Sequence, residues 1–247
     1  LTNLSAMNLQ DVSDESKQRL SRLQDAFAKK HNLSSLHPLI EEEVSKAFKA
    51  CNITEPMIVL QDLHSTNSTV YPLVDELYYP VKALVVGVAD TRGSSPIPLI
   101  RRGIFHECGH VVAGDVNQNI GKNILPVVLN LCTSVYAGIR AAQTINNVPR
   151  VVSVIGGIGV GIASLLTFGR LYHKTIGAYQ TRRIERNADI FANQKLMSLH
   201  DYYSLAYEFL DLTCNCDEGR SNMRNEYWLF HDHPEYLERA RMILDEF

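Results

Sequence analysis

The chain has 247 residues, a formal net charge of −3 and 21% charged residues. That is enough length for one well-packed domain, and too little positive charge to suggest a nucleic-acid partner. Five cysteines (Cys51, Cys108, Cys132, Cys214 and Cys216) are odd in number and poorly spaced for a disulfide framework, so free thiols in a reducing compartment are expected.

No basic, apolar, small-residue signal segment follows Leu1. Ser13 caps an expected helix to about Lys30, with Leu20, Leu23 and Phe27 on one face. His37-Pro38 opens a second helix whose inward stripe is Ile40, Val44, Ala47 and Phe48. The runs "MIVL" (57–60) and "KALVVGVAD" (82–90) are β-rich and of strand length. "DTRGSSPIP" (90–98) reads as a loop, after which a helix begins near Leu99 with Ile100, Ile104 and Val111 at apolar spacing.

Two uncharged stretches follow, 123–139 and 151–169, joined by "RAAQTINNVPR" (140–150). The second has the length of a membrane span, whereas Pro126 and Asn130 interrupt the first. Small residues line both: Asn130, Ser134 and Gly138 on one, Ser153, Gly157, Gly161 and Ser164 on the other. Gly157 and Gly161 have the spacing that lets helices approach closely in lipid. A membrane-associated helical hairpin is expected over 123–169; the alternative is a hairpin buried in a soluble core. A mean hydropathy of −0.10 is that of a soluble protein, but it averages over such segments. Lys122, Arg170, Lys174, Arg182 and Arg183 flank the hairpin ends against Arg140 and Arg150 in its loop, which favours a cytoplasmic catalytic side. Beyond Tyr172 the chain turns polar and helical, with Ile184, Ala188, Phe191 and Leu199 near one side and a terminal helix from Pro234.

The chemistry centres on "RRGIFHECGHVVAGD" (101–115). Residues four apart share a helix face, so His106 and His110 can present imidazole nitrogens to one ion. Glu107 then meets a metal-bound water whose pKa zinc lowers to about 7, takes its proton as it attacks a carbonyl, and returns one to the leaving amine. A catalytic zinc wants a third protein ligand. The downstream candidates are His173, Glu185, Asp189, His200, His231 and His233. Glu185 stands out because Asp189, four residues on, can accept a ring N–H from a ligating histidine. The strand 82–90 offers an edge on which an extended peptide could pair, its other role being an ordinary core strand.

"HECGHVVAGD", "RRIERNADIFA" and "HPEYLERA" together resemble the gluzincin metallopeptidases of the HtpX, CAAX-prenyl-protease and Oma type. The resemblance runs from about Met57 to the C-terminus. It implies an α+β, predominantly helical, zincin-like fold, with a small β-sheet before the active-site helix and the apolar hairpin between the two ligand helices. It implies one zinc ion held by His106, His110 and Glu185, with Glu107 as general base and acid. It further implies that Asp189 and Asp115 support the ligands, and that His233 and Arg239 approach the site to hold the ligand shell or stabilise an oxyanion.

The expectation is a single metallopeptidase domain over 1–247 with 123–169 as an inserted hairpin. It would be a membrane-associated zinc endopeptidase acting on protein or peptide substrates, membrane proteins among them. Two alternatives stand beside it: the same peptidase as a soluble cytoplasmic protein, and a non-catalytic metal-stabilised scaffold or chaperone closed by a fourth ligand such as His231 or Cys108.

Overall fold

The computed structural model describes residues 13–65, 67–89, 96–144, 150–223 and 234–246, without side chains at 117–127, 173, 215–223 and 246. The fold is predominantly helical with one small sheet, as the sequence leads one to expect. It divides into two compact units, one of residues 1–116, 184–221 and 234–247, the other of 117–183 and 222–233.

In the first unit, helix α1 (Asp14–His31) starts where the Ser13 side chain accepts from the Ser16 N–H, and ends at Asn32 in the left-handed region. Helix α2 (Pro38–Ala50) has His37 at its N-cap and buries Ile40, Val44, Ala47 and Phe48. The sheet has the order β1-β3-β2, with β1 (Met57–Asp62) parallel and β2 (Thr69–Val74) antiparallel to β3 (Pro80–Gly87). Alternation sorts the side chains. Ile58, Leu60, Ala83 and Val85 gather with Phe27 of α1, while Met57, Val59, Leu84 and Val86 join the main core with α2 and the metal-motif helix.

Strand β2 was not expected from the sequence, and it changes the role of the third strand. Over residues 82–87 the expected strand is not an edge: β3 pairs on both sides, so no peptide can add to it there. The edge beside the histidine helix is β2.

Helix α3 (Ile97–Ala113) begins two residues earlier than expected and closes at Gly114, whose φ of +72° suits a residue without a Cβ. Helix α6 (Ala178–Ser198) turns Ala188, Ala192 and Leu196 into the core. Leu199, expected on that stripe, is exposed because the helix ends at Ser198. Helices α7 (Tyr202–Met223) and α8 (Tyr236–Glu246) add Leu205, Leu212, Ala240 and Ile243. Pro234 is buried just before α8.

The second unit is built on two long helices. Helix α4 (Asp115–Thr144) enters it at Asn117 and continues through position 126 without a break; α5 (Arg150–Tyr172) follows and passes through a π-helical stretch, His173–Gly177, into α6. The two helices cross at glycines. A Cβ on Gly157 would lie 2.6 Å from the Gly138 carbonyl oxygen, and one on Gly138 would lie 2.7 Å from that of Gly157. The Asn130 amide donates to the Leu165 carbonyl at 3.1 Å. The mutual face holds Ser134, Ser153 and Gly157, while Val135, Ile139, Val151, Ile155, Ile158, Ile162 and Leu166 are exposed. Among the described residues, one helical stretch, beginning at Arg150, is long and apolar enough to cross a membrane, and 11% of its apolar window is buried.

Candidate metal centre

Helix α3 delivers His106 and His110 from one face, and α6 delivers Glu185 and Asp189 from another, all within the first unit. The two helices are in close contact at Gly109, where a Cβ would stand 3.1 Å from Ala188 Cα and 3.2 Å from the Phe191 ring. Glycine inside the histidine motif therefore sets how near the two donor-bearing helices can come.

The donors converge. His110 Nε2 lies 3.2 Å from His106 Nε2, His106 Nε2 lies 3.2 Å from Glu185 Oε2, and His110 Nε2 lies 3.6 Å from Glu185 Oε1. A tetrahedral ion with ligand bonds of about 2.0–2.1 Å spaces its donors about 3.3 Å apart. Two imidazoles and a carboxylate at these separations fit a zinc ion, and among the described residues they are the group of His, Cys, Asp and Glu side chains able to hold one.

The electrostatics agree with the geometry. The His106 ring nitrogen Nδ1 donates to Asp189 Oδ1 at 2.9 Å, because a carboxylate can only accept. Its other nitrogen, Nε2, faces Glu185 Oε2 at 3.2 Å, a gap that either a proton or a metal cation can bridge. Burial lowers the His106 pKa, but the hydrogen bonds to Asp189 and Glu185 outweigh it and carry it up to about 9. Burial also works against ionised Asp189, yet Arg102, His106 and Arg239 hold it well below the usual carboxylate range.

Glu107 is buried, and one of its oxygens, Oε2, accepts the Val70 N–H of β2 at 2.9 Å. Burial pushes its pKa up, opposed by the nearby His106 and His110 rings. Asp115 Oδ2 stands 3.9 Å from His110 Nδ1, an ion-pair separation beyond hydrogen-bond reach. Arg239 of α8 turns its guanidinium onto Asp189, with Nε to Oδ2 at 3.0 Å and Nη2 to Oδ1 at 3.2 Å. His231 and His233 lie outside the described residues. Cys108 does not converge with the three donors; it is buried against Cys51 of the α2 end, and that hydrogen bond together with burial holds its thiol well above its ordinary pKa.

Two residues of this centre were not read from the sequence. Arg102, one turn before His106 on α3, donates to Asp189 and brings Nη1 to 3.3 Å from His106 Nδ1. Glu208 of α7 accepts from Arg239 Nη2 at 3.2 Å. The four-residue step from Arg102 to His106 was the one local signal, and Glu208 had none.

Comparison with curated proteins and with solved structures gives no match. Residues 103–246 match peptidase family M48, whose members are zinc metallopeptidases. The matched stretch holds His106, His110 and Glu185 and covers more than half of the chain, and the chain belongs to peptidase family M48.

Proposed function

We propose that the protein is a zinc-dependent endopeptidase, with His106, His110 and Glu185 holding one ion and Glu107 moving the proton. The observation that carries this reading is the convergence of three donors from two helices beside a buried carboxylate. Bound there, zinc supplies Lewis acidity, which polarises a peptide carbonyl and lowers the pKa of an adjacent water to about 7. Glu107 takes the proton from the attacking water and hands it to the leaving nitrogen. The Val70 N–H fixes one Glu107 oxygen, so the proton travels through the other. Asp189 keeps the His106 ring turned with its donor nitrogen inward, and Arg239 acts through Asp189.

The substrate pairs with β2, the edge strand that also anchors Glu107. Within the family, the apolar hairpin between the donor-bearing helices favours the HtpX and Oma type. The hairpin associates the protein with a membrane, and its substrates include membrane proteins; the basic residues at the hairpin ends favour a cytoplasmic catalytic side.

Metal analysis of the purified chain, with casein digestion before and after a chelator, tests the reading. Close to one zinc per chain and chelator-sensitive cleavage is the expected result. Cleavage that survives complete metal removal would overturn it.

A further inference from the structure

Behind the three donors lies a group of four charges, three of them buried and Arg239 half-buried, of which only Asp189 and Arg239 belong to the sequence motifs. Arg102, Asp189 and Glu208 have side chains 4%, 1% and 9% exposed. Asp189 Oδ1 receives Arg102 Nη2, His106 Nδ1 and Arg239 Nη2, and its Oδ2 receives Arg239 Nε. Glu208 Oε1 receives Arg239 Nη2 at 3.2 Å and stands 3.6 Å from Arg102 Nε. Two guanidiniums and two carboxylates cancel.

The cancellation matters because of what stands next to it. A buried charge without a partner is poorly screened and acts strongly on a neighbouring ion. If Asp189 faced both guanidiniums alone, the group would carry a net positive charge in contact with His106. With Glu208 present, a divalent cation meets Glu185 and Glu107 as its local counter-charges. Arg102 has a second effect. It shares the Asp189 oxygen that receives the His106 N–H, so it holds that oxygen where the ring needs it.

We infer that Arg102 and Glu208 are positioning residues for the metal ion: Arg102 pins the carboxylate that orients His106, and Glu208 neutralises the paired guanidiniums so that the centre keeps its affinity for a divalent cation. This rests on His106, His110 and Glu185 being the zinc ligands. Neither residue touches the ion or the substrate. Their effect passes through Asp189 and through the charge of the group.

The test is zinc affinity of the purified full chain, measured by competition with a chromophoric chelator and independent of proteolysis. Glu208→Gln should weaken zinc by about 10–100-fold, the range for residues that support metal ligands from behind. Glu208→Asp keeps the negative charge beside the two guanidiniums and should recover part of that loss. Were Glu208 merely structural, the shorter aspartate would bind zinc no better than the nearly isosteric glutamine, and that result overturns the inference. If Glu208→Gln does not fold, Arg102→Lys decides: it keeps the charge but loses the planar fork, and unchanged zinc affinity in that variant overturns the inference. Failure of the wild-type chain to take zinc would instead remove the peptidase reading itself.

Discussion

Asp189 Oδ1 accepts the ring N–H of His106 at 2.9 Å, and this one contact decides which imidazole nitrogen faces Glu185. The same carboxylate is the partner of Arg102 and Arg239, so ring orientation and charge balance depend on one side chain. Asp189→Asn should therefore fail in two ways. The buried Arg102 and the half-buried Arg239 lose their main counter-charge, a loss of about 3–5 kcal/mol in urea unfolding. Zinc affinity of the folded fraction should fall by about 10–100-fold. A variant with wild-type stability would show that Asp189 is not the keystone of the group.

Glu107→Gln keeps the shape of the side chain and its acceptance of the Val70 N–H, but removes the proton-accepting charge. It should retain zinc at wild-type stoichiometry and lose about 10²–10⁴-fold in peptide-bond cleavage. Metal content and turnover are measured on the same preparation. Undiminished turnover would refute the general-base role.

Gly109→Val tests the approach of α3 and α6. Its Cβ would meet Ala188 Cα at 3.1 Å, backbone that cannot swing aside as a side-chain tip can. The expected loss is about 1–3 kcal/mol of stability, with weaker zinc binding because the donor atoms are spread apart. Unfolding curves with and without zinc separate the two effects.

Glu43 and Asp201 both bond to Arg101. Burial would raise both carboxyls, but the bonds to Arg101 outweigh it and hold them below their ordinary 4.5 and 3.8. A carboxyl lowered in the folded state contributes stability above its ordinary pKa and loses it as pH falls through the folded value. Arg101→Gln should thus be less stable than wild type near neutrality, and the gap should close as pH falls from the ordinary value of 4.5 downward. Urea unfolding at about pH 7 and about pH 3 reads the gap. A gap of constant size would mean that Arg101 acts by packing alone.

The exposed Val, Ile and Leu side chains of α5 predict membrane retention. Alkaline carbonate should leave the chain in the membrane pellet and detergent should release it. Release by carbonate would indicate a surface-bound or soluble protein.

Much of this was legible in the sequence because the relevant signals are local. Ser13 and His37 announce helix starts, four-residue spacing brings His106 to His110 and Glu185 to Asp189, and uncharged runs mark the hairpin. Strand β2 was hidden because "TVYPLV" contains Pro72 and exposes much of its surface, both of which count against a strand. It is tolerated because β2 is an edge. Arg102 and Glu208 were hidden for a different reason. A charged residue on a helix is ordinarily solvated, and only the arrival of another helix reveals that it is enclosed.

The Val70 N–H turned away from β3 has a consequence for selectivity. In an antiparallel pair, a residue points both its backbone groups to the same side, and every second residue shares that direction. Val70 and Pro72 therefore turn their carbonyls to the outer rim of β2, where Val70 has already committed its hydrogen to Glu107 and Pro72 has none. Along that part of the rim an incoming polypeptide meets hydrogen acceptors but no available hydrogen. Docking by strand addition there would read amide hydrogens alone, so an N-methylated or proline-bearing stretch in register with those two carbonyls would be passed over.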